Sequence, residues 1–180
     1  MVIRSRGARR EGFLLLFHQP QYLRVHQMTN LELFKSEWTF TRRLTLDLLD
    51  SLTDTELGQT PGPGLGPFWK QFRHVGRLQE CYQEALNTKK IRFDYRNKRY
   101  RGGCSKNALR AYLRALDREL VQTVERVDWN ATIEWEGEMA SVFQHLMRML
   151  AHEILHHGQW ILYTRLMEKN LPPSCRVWGV

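Results

Sequence analysis

The stretch Val142-Phe-Gln-His-Leu-Met-Arg-Met-Leu-Ala-His-Glu-Ile-Leu-His-His-Gly-Gln-Trp160 decides the fold class. It lies in the longest of four amphipathic runs, from about Glu136 to Lys169. Val142, Phe143, Leu146, Met149, Leu150, Ile154, Ile161 and Leu162 recur there at helical spacing, whereas a strand would alternate every second residue. Asn170-Leu-Pro-Pro173 ends the run, because proline offers no N–H to continue the ladder. Gly158 costs a helix interior about 1 kcal/mol relative to alanine, which predicts close packing or a bend at that point.

Upstream, Leu109, Tyr112, Leu113, Leu116, Leu120 and Val124 follow a regular i, i+3, i+4, i+7 pattern, with Ser105 or Asn107 as the N-cap. An earlier run from Phe68 to about Asn87 sets Phe68, Phe72, Val75, Tyr82 and Leu86 on one face. The first run, from about Asn30 to Leu52, carries Phe34, Trp38, Leu44, Leu48 and Leu49 in a less regular stripe. Thr60-Pro-Gly-Pro-Gly-Leu-Gly-Pro67 is a loop. Ala131-Thr-Ile-Glu-Trp135 reads as a short strand or as a lead-in to the last helix. Four amphipathic helices over 28–180 predict an all-α domain, an antiparallel up-and-down four-helix bundle.

The 180 residues suit one domain, and 42% hydrophobic content is enough for a core. No apolar run approaches the roughly 20 residues of a membrane span. Three cysteines make neither an even framework nor a CxxC, which points to a reduced, cytoplasmic setting. Residues 1–27 supply half of the net charge of +8 through Arg4, Arg6, Arg9, Arg10 and Arg24 against Glu11. Gly12-Phe-Leu-Leu-Leu-Phe17 falls short of a signal-peptide core, and no small-residue cleavage site follows. Since Met28 opens an ordinary run into the first helix, 1–27 is read as a disordered tail or a mis-assigned upstream extension.

The histidines carry the chemistry. His152 and His156, at i, i+4, project from one helix face about a turn apart, a spacing that lets both reach one divalent ion. His74 interrupts the apolar face between Phe72 and Val75. If the two helices pack together, three neutral imidazoles converge and leave coordination positions open, the pattern of a catalytic rather than a closed structural site. Paired histidines also arise by chance, so an ordinary core role stays open; His145 fits that role best. His157, about 100° further round the helix, is expected beside a ligand or at the surface.

His152-Glu-x-x-His156 also spells the zinc-protease helix motif, with Glu153 as general base. The extended metzincin form needs a glycine and a histidine where Gln159 and Leu162 stand, so a protease is the remotest reading. Glu153 is either a catalytic proton acceptor, a partner in a salt bridge, or a contact that orients a ligand imidazole.

The segment His152-Glu-Ile-Leu-His156-His157-Gly158-Gln159 resembles the His-x-x-x-His-[Arg]-Gly-Gln signature of the DinB-like superfamily. Phe68-Trp-Lys-Gln-Phe-Arg-His74 is similar to the helix that supplies the family's first histidine, and Leu171–Val180 loosely resembles its closing prolines and tryptophan. Two departures stand out: His157 where the family often has arginine, and the spacing from Pro173 to Trp178. The resemblance implies a metal-binding bundle, often dimeric, with His74, His152 and His156 as ligands. It also implies a transferase or isomerase using a low-molecular-weight thiol, or a metal-dependent hydrolase, acting on a small molecule. Histidine ligands suit Zn, Ni, Fe or Mn alike.

The connector from Thr88 to Lys106 holds eight basic residues and one acid, interleaved with Phe93, Tyr95 and Tyr100. A solvated loop is its plainest reading. A clamp by Arg96, Arg99 and Arg101 on an anionic thiol is a second, and single-stranded nucleic acid a third. The competing class is therefore a non-enzymatic metal-binding or nucleic-acid-associated stress protein.

Overall fold

The computed structural model describes residues 28–94 and 99–180; the expected tail over 1–27 lies outside the described residues. Helix α1 (Asn30–Asp50) starts at a capping box in which Thr29 and Glu32 satisfy each other's backbone N–H groups. Thr53 and Glu56 do the same for the short α2 (Asp54–Gly58). Helix α3 (Phe68–Thr88) ends where Lys89 turns left-handed at φ 59°. Ser105 caps α4 (Lys106–Val124). Ser141 and Gln144 box the start of α5 (Val142–Leu166), and a 3-10 turn over Pro173–Trp178 closes the chain.

About 65% of the described residues are helical, but the class is not purely α. Strands β1 (Thr132–Trp135) and β2 (Glu138–Ser141) pair antiparallel, Ile133 opposite Ala140. Glu136 and Gly137 between them both have positive φ, 49° and 95°, the requirement of a two-residue hairpin turn matched to strand twist. The long run expected from Glu136 therefore begins as a hairpin and becomes helix only at Val142.

The up-and-down connectivity is also corrected. Phe68 meets Tyr163, Phe72 stacks on Trp160 at 4.5 Å, and Tyr82 meets His145, so α3 and α5 run antiparallel. Lys35 pairs with Glu125 and Asp50 with Arg110, so α1 and α4 do likewise. Gly76 lies against Tyr112, while Gln83 donates to the Leu116 carbonyl at 2.9 Å; these contacts advance together, making α3 and α4 parallel. It follows that α1 and α5 are parallel as well. The connector between α3 and α4 carries the chain back along the molecule, a crossover that up-and-down order does not have.

Two apolar clusters fill the space between the long helices. One gathers Leu49, Phe68, Phe72, Leu113 and Trp160, the other Phe34, Leu86, Leu120, Ile133 and Leu146. The faces expected of α3 and α4 are the buried ones. On α5, Leu162 is instead 55% exposed. Gly158 is exposed too, and a Cβ there would meet nothing within 4 Å, so the expected close packing is absent. Among the described residues no helix is long and apolar enough to cross a membrane.

Candidate metal centre

Antiparallel packing of α3 on α5 brings His74 beside His152 and His156. Ring centroids lie 5.3 Å apart for His74 and His152, 4.9 Å for His74 and His156, and 4.7 Å for His152 and His156. One ring nitrogen from each lies within 4.8 Å of the others. His156 is buried, whereas His74 and His152 are half-buried, so the cluster keeps one side toward solvent.

Burial holds all three imidazoles neutral. It is the largest cause lowering His152 to about 4 and His156 to about 3. His74 is also lowered by burial first, then by the charges of Arg77 and Arg73. Neutral imidazole is the form that ligates a cation. Nδ1 of His156 is buried without a hydrogen-bond partner, which costs a fold about 1–3 kcal/mol unless something satisfies it. Three neutral nitrogens around a shared point, one ring having a buried orphan, fit a divalent cation.

Glu153 turns away into the interior. Thr45 donates to its Oε1 at 2.5 Å, and Nη2 of Arg42 lies 3.1 Å from its Oε2. Burial pushes its carboxyl upward, while Arg42 and the Thr45 hydroxyl pull against that shift. Of the roles expected for Glu153, this is the salt bridge. Arg42 also donates to Gln79 at 2.6 Å and pairs with Asp117 at 3.1 Å. Asp117 in turn accepts from the Trp38 indole at 3.1 Å. His157 is buried, not at the surface; its Nε2 lies 2.8 Å from the Thr45 hydroxyl. Because that hydroxyl donates to Glu153, it must accept from His157, which places the imidazole proton on Nε2. All four long helices contribute to this polar network.

His145 is a satisfied core histidine. Trp135 donates to its Nδ1 at 3.0 Å, and its Nε2 donates to the Tyr82 carbonyl at 2.9 Å. Burial raises the Cys81 thiol to about 11 and leaves it inert. In the basic connector, Arg99 forks onto Glu119 at 2.9 and 2.5 Å, and Arg96 lies outside the described residues. Sequence reasoning did not find Arg42, Thr45, Gln79 or Asp117. The available signal was the irregular stripe of α1, where Arg42 and Thr45 interrupt apolar positions.

A helical chain with three histidines gathered from two antiparallel helices is the class that fold and site define. The family model for the DinB superfamily matches residues 37–161; the chain belongs to that superfamily. Among solved structures it is similar to a DinB-like protein from Bacillus cereus ATCC 10987, with TM-score 0.65 and 21% identity over 77% of this chain and 93% of that one. A DinB-like protein (YjoA) from Bacillus subtilis gives TM-score 0.64 and 14% identity over 78% and 96%. No curated protein matches the chain.

Proposed function

We propose that the protein binds one divalent cation through His74, His152 and His156 and uses it to act on a small molecule, by transfer of a low-molecular-weight thiol or by hydrolysis. The observation that carries this reading is the trio of ring nitrogens within 4.8 Å of one another, already neutral and partly open to solvent. A cation held by neutral ligands keeps its full charge and acidifies a water or thiol that binds it.

The chain's own residues would do the positioning. The pair of Glu153 with Arg42 locks the rotation of α5, hence the direction of both its ligand histidines. Glu153 acts in this reading as a positioning residue, since its two oxygens already face Thr45 and Arg42. A reduced cytoplasmic compartment would keep a thiol substrate available.

The test is activity after loading with Zn, Ni, Fe or Mn in turn. A small thiol with chlorodinitrobenzene, and separately p-nitrophenyl acetate, probe the two reaction types. The reading expects one of them to run well above the metal-free rate and to be lost in His156→Ala. Equal rates with and without metal would overturn it.

A further inference from the structure

On the side of the molecule away from the α3–α5 seam, α1 and α4 enclose a groove of about 630 Å³, a size that suits a small organic molecule. Trp38, Leu46 and Val121 give it apolar walls, and Arg43, Arg110, Arg114 and Arg118 stand along it. Three of these arginines follow at i, i+4, i+8 on α4, an arrangement that places like charges next to one another.

Among the described residues, the three aspartates of the groove leave two members of this row, Arg114 and Arg118, without an ion pair. Asp50 pairs with Arg110 at 3.0 Å. Asp117 is held by Arg42, Trp38 and Gln79, and Asp47 forms no ion pair with the row among the described residues. Among the described residues, neither Arg114 nor Arg118 lies within ion-pair distance of a carboxylate. Arg42 also lines the groove, only 4% exposed, with its guanidinium 4.7 Å from the centre of the Trp38 ring. Its Nη1 is buried with no hydrogen-bond partner.

We infer that this groove is a second ligand site, for a small organic anion that joins an apolar, preferably aromatic, body to a phosphate or carboxylate. The apolar body lies along Trp38, Leu46 and Val121, and the anionic head meets Arg114 and Arg118, whose planar forks match either group. Charge excludes the other occupants. A second copy of the groove would bring the same arginine row against itself, and residues 1–27, with five arginines and one acid, have the wrong sign. The site is independent of the imidazole cluster and needs no metal.

Calorimetric titration of the purified protein with phenyl phosphate tests it, with inorganic phosphate as the probe lacking an apolar body. Saturable binding at one site per chain is expected, at least tenfold weaker for inorganic phosphate. The R114Q/R118Q variant should bind phenyl phosphate at least tenfold more weakly; both side chains are exposed, and an unchanged thermal melt will verify its fold. His74→Ala should bind as wild type does. Absence of saturable binding, equal affinity in the arginine variant, or loss of binding in His74→Ala would each overturn the inference. The last result would place the anion at the imidazole cluster instead.

Discussion

Consecutive residues of α5 serve two regions of opposite character. His152 and His156 face α3, where they meet the neutral ring of His74 with a side open to solvent. Glu153 and His157, one residue later in each case and so about 100° round the helix, face α1 in a closed network containing full charges. The comparison teaches that residue type alone does not assign a role on a helix; the facing element does. Histidine against histidine leaves lone pairs for a cation, whereas histidine against Thr45 donates its proton and becomes part of the scaffold.

Breaking the closed network should have the largest effect on stability. Arg42→Ala leaves Glu153 buried without its counter-charge, which should lower the unfolding free energy by about 3–5 kcal/mol, read from urea denaturation. His74→Ala on the open side should change the metal-free protein by no more than about 1 kcal/mol. Similar losses from both substitutions would erase the distinction between the regions.

Acid comes next. His145 is fully buried and held at about 4, against 6.5 for the ordinary group. As pH falls below 6.5 the unfolded chain takes up a proton that the folded chain refuses until about 4. Stability is therefore complete above pH 6.5 and declines between 6.5 and 4, by about 3 kcal/mol for this group. Denaturant melts across that range in His145→Phe should show a shallower decline than wild type. The open region gives a complementary readout. With His152 at about 4 and His156 at about 3, zinc binding at pH 7 should release almost no protons from the three rings, measured by calorimetry in buffers of different ionisation enthalpy. Release of one proton or more from these rings would show that they are not held neutral.

Smaller effects sharpen the picture. Thr45→Val removes the hydroxyl that links His157 to Glu153 and should cost about 1–3 kcal/mol with little change in ion affinity. Lys35→Ala breaks the exposed pair with Glu125, whose side chains are 39% and 46% exposed. It should cost less than about 1 kcal/mol.

The regular apolar spacing of α3 and α4 made their buried faces legible, and the i, i+4 histidines of α5 were readable as a shared face. That His74 would meet them required helix packing, which periodicity does not encode; the family resemblance supplied it. Chain direction was not legible, because the long connector after α3 permits either return, and only contacts such as Gln83 with Leu116 reveal the crossover. The hairpin at Glu136-Gly137 was hidden because two four-residue strands carry too little alternation to stand out from a helix lead-in. Arg42 and Thr45 registered only as disorder in the stripe of α1, since a buried charge announces itself through partners distant in sequence.

The central claim is that the three imidazoles share one cation. Elemental analysis of the untagged protein, purified without chelators, tests it most directly. The account predicts one divalent ion per chain in the wild type and none in His74→Ala. A wild-type protein that takes up no ion after demetallation and reloading, or a His74→Ala variant that retains a full equivalent, would contradict it.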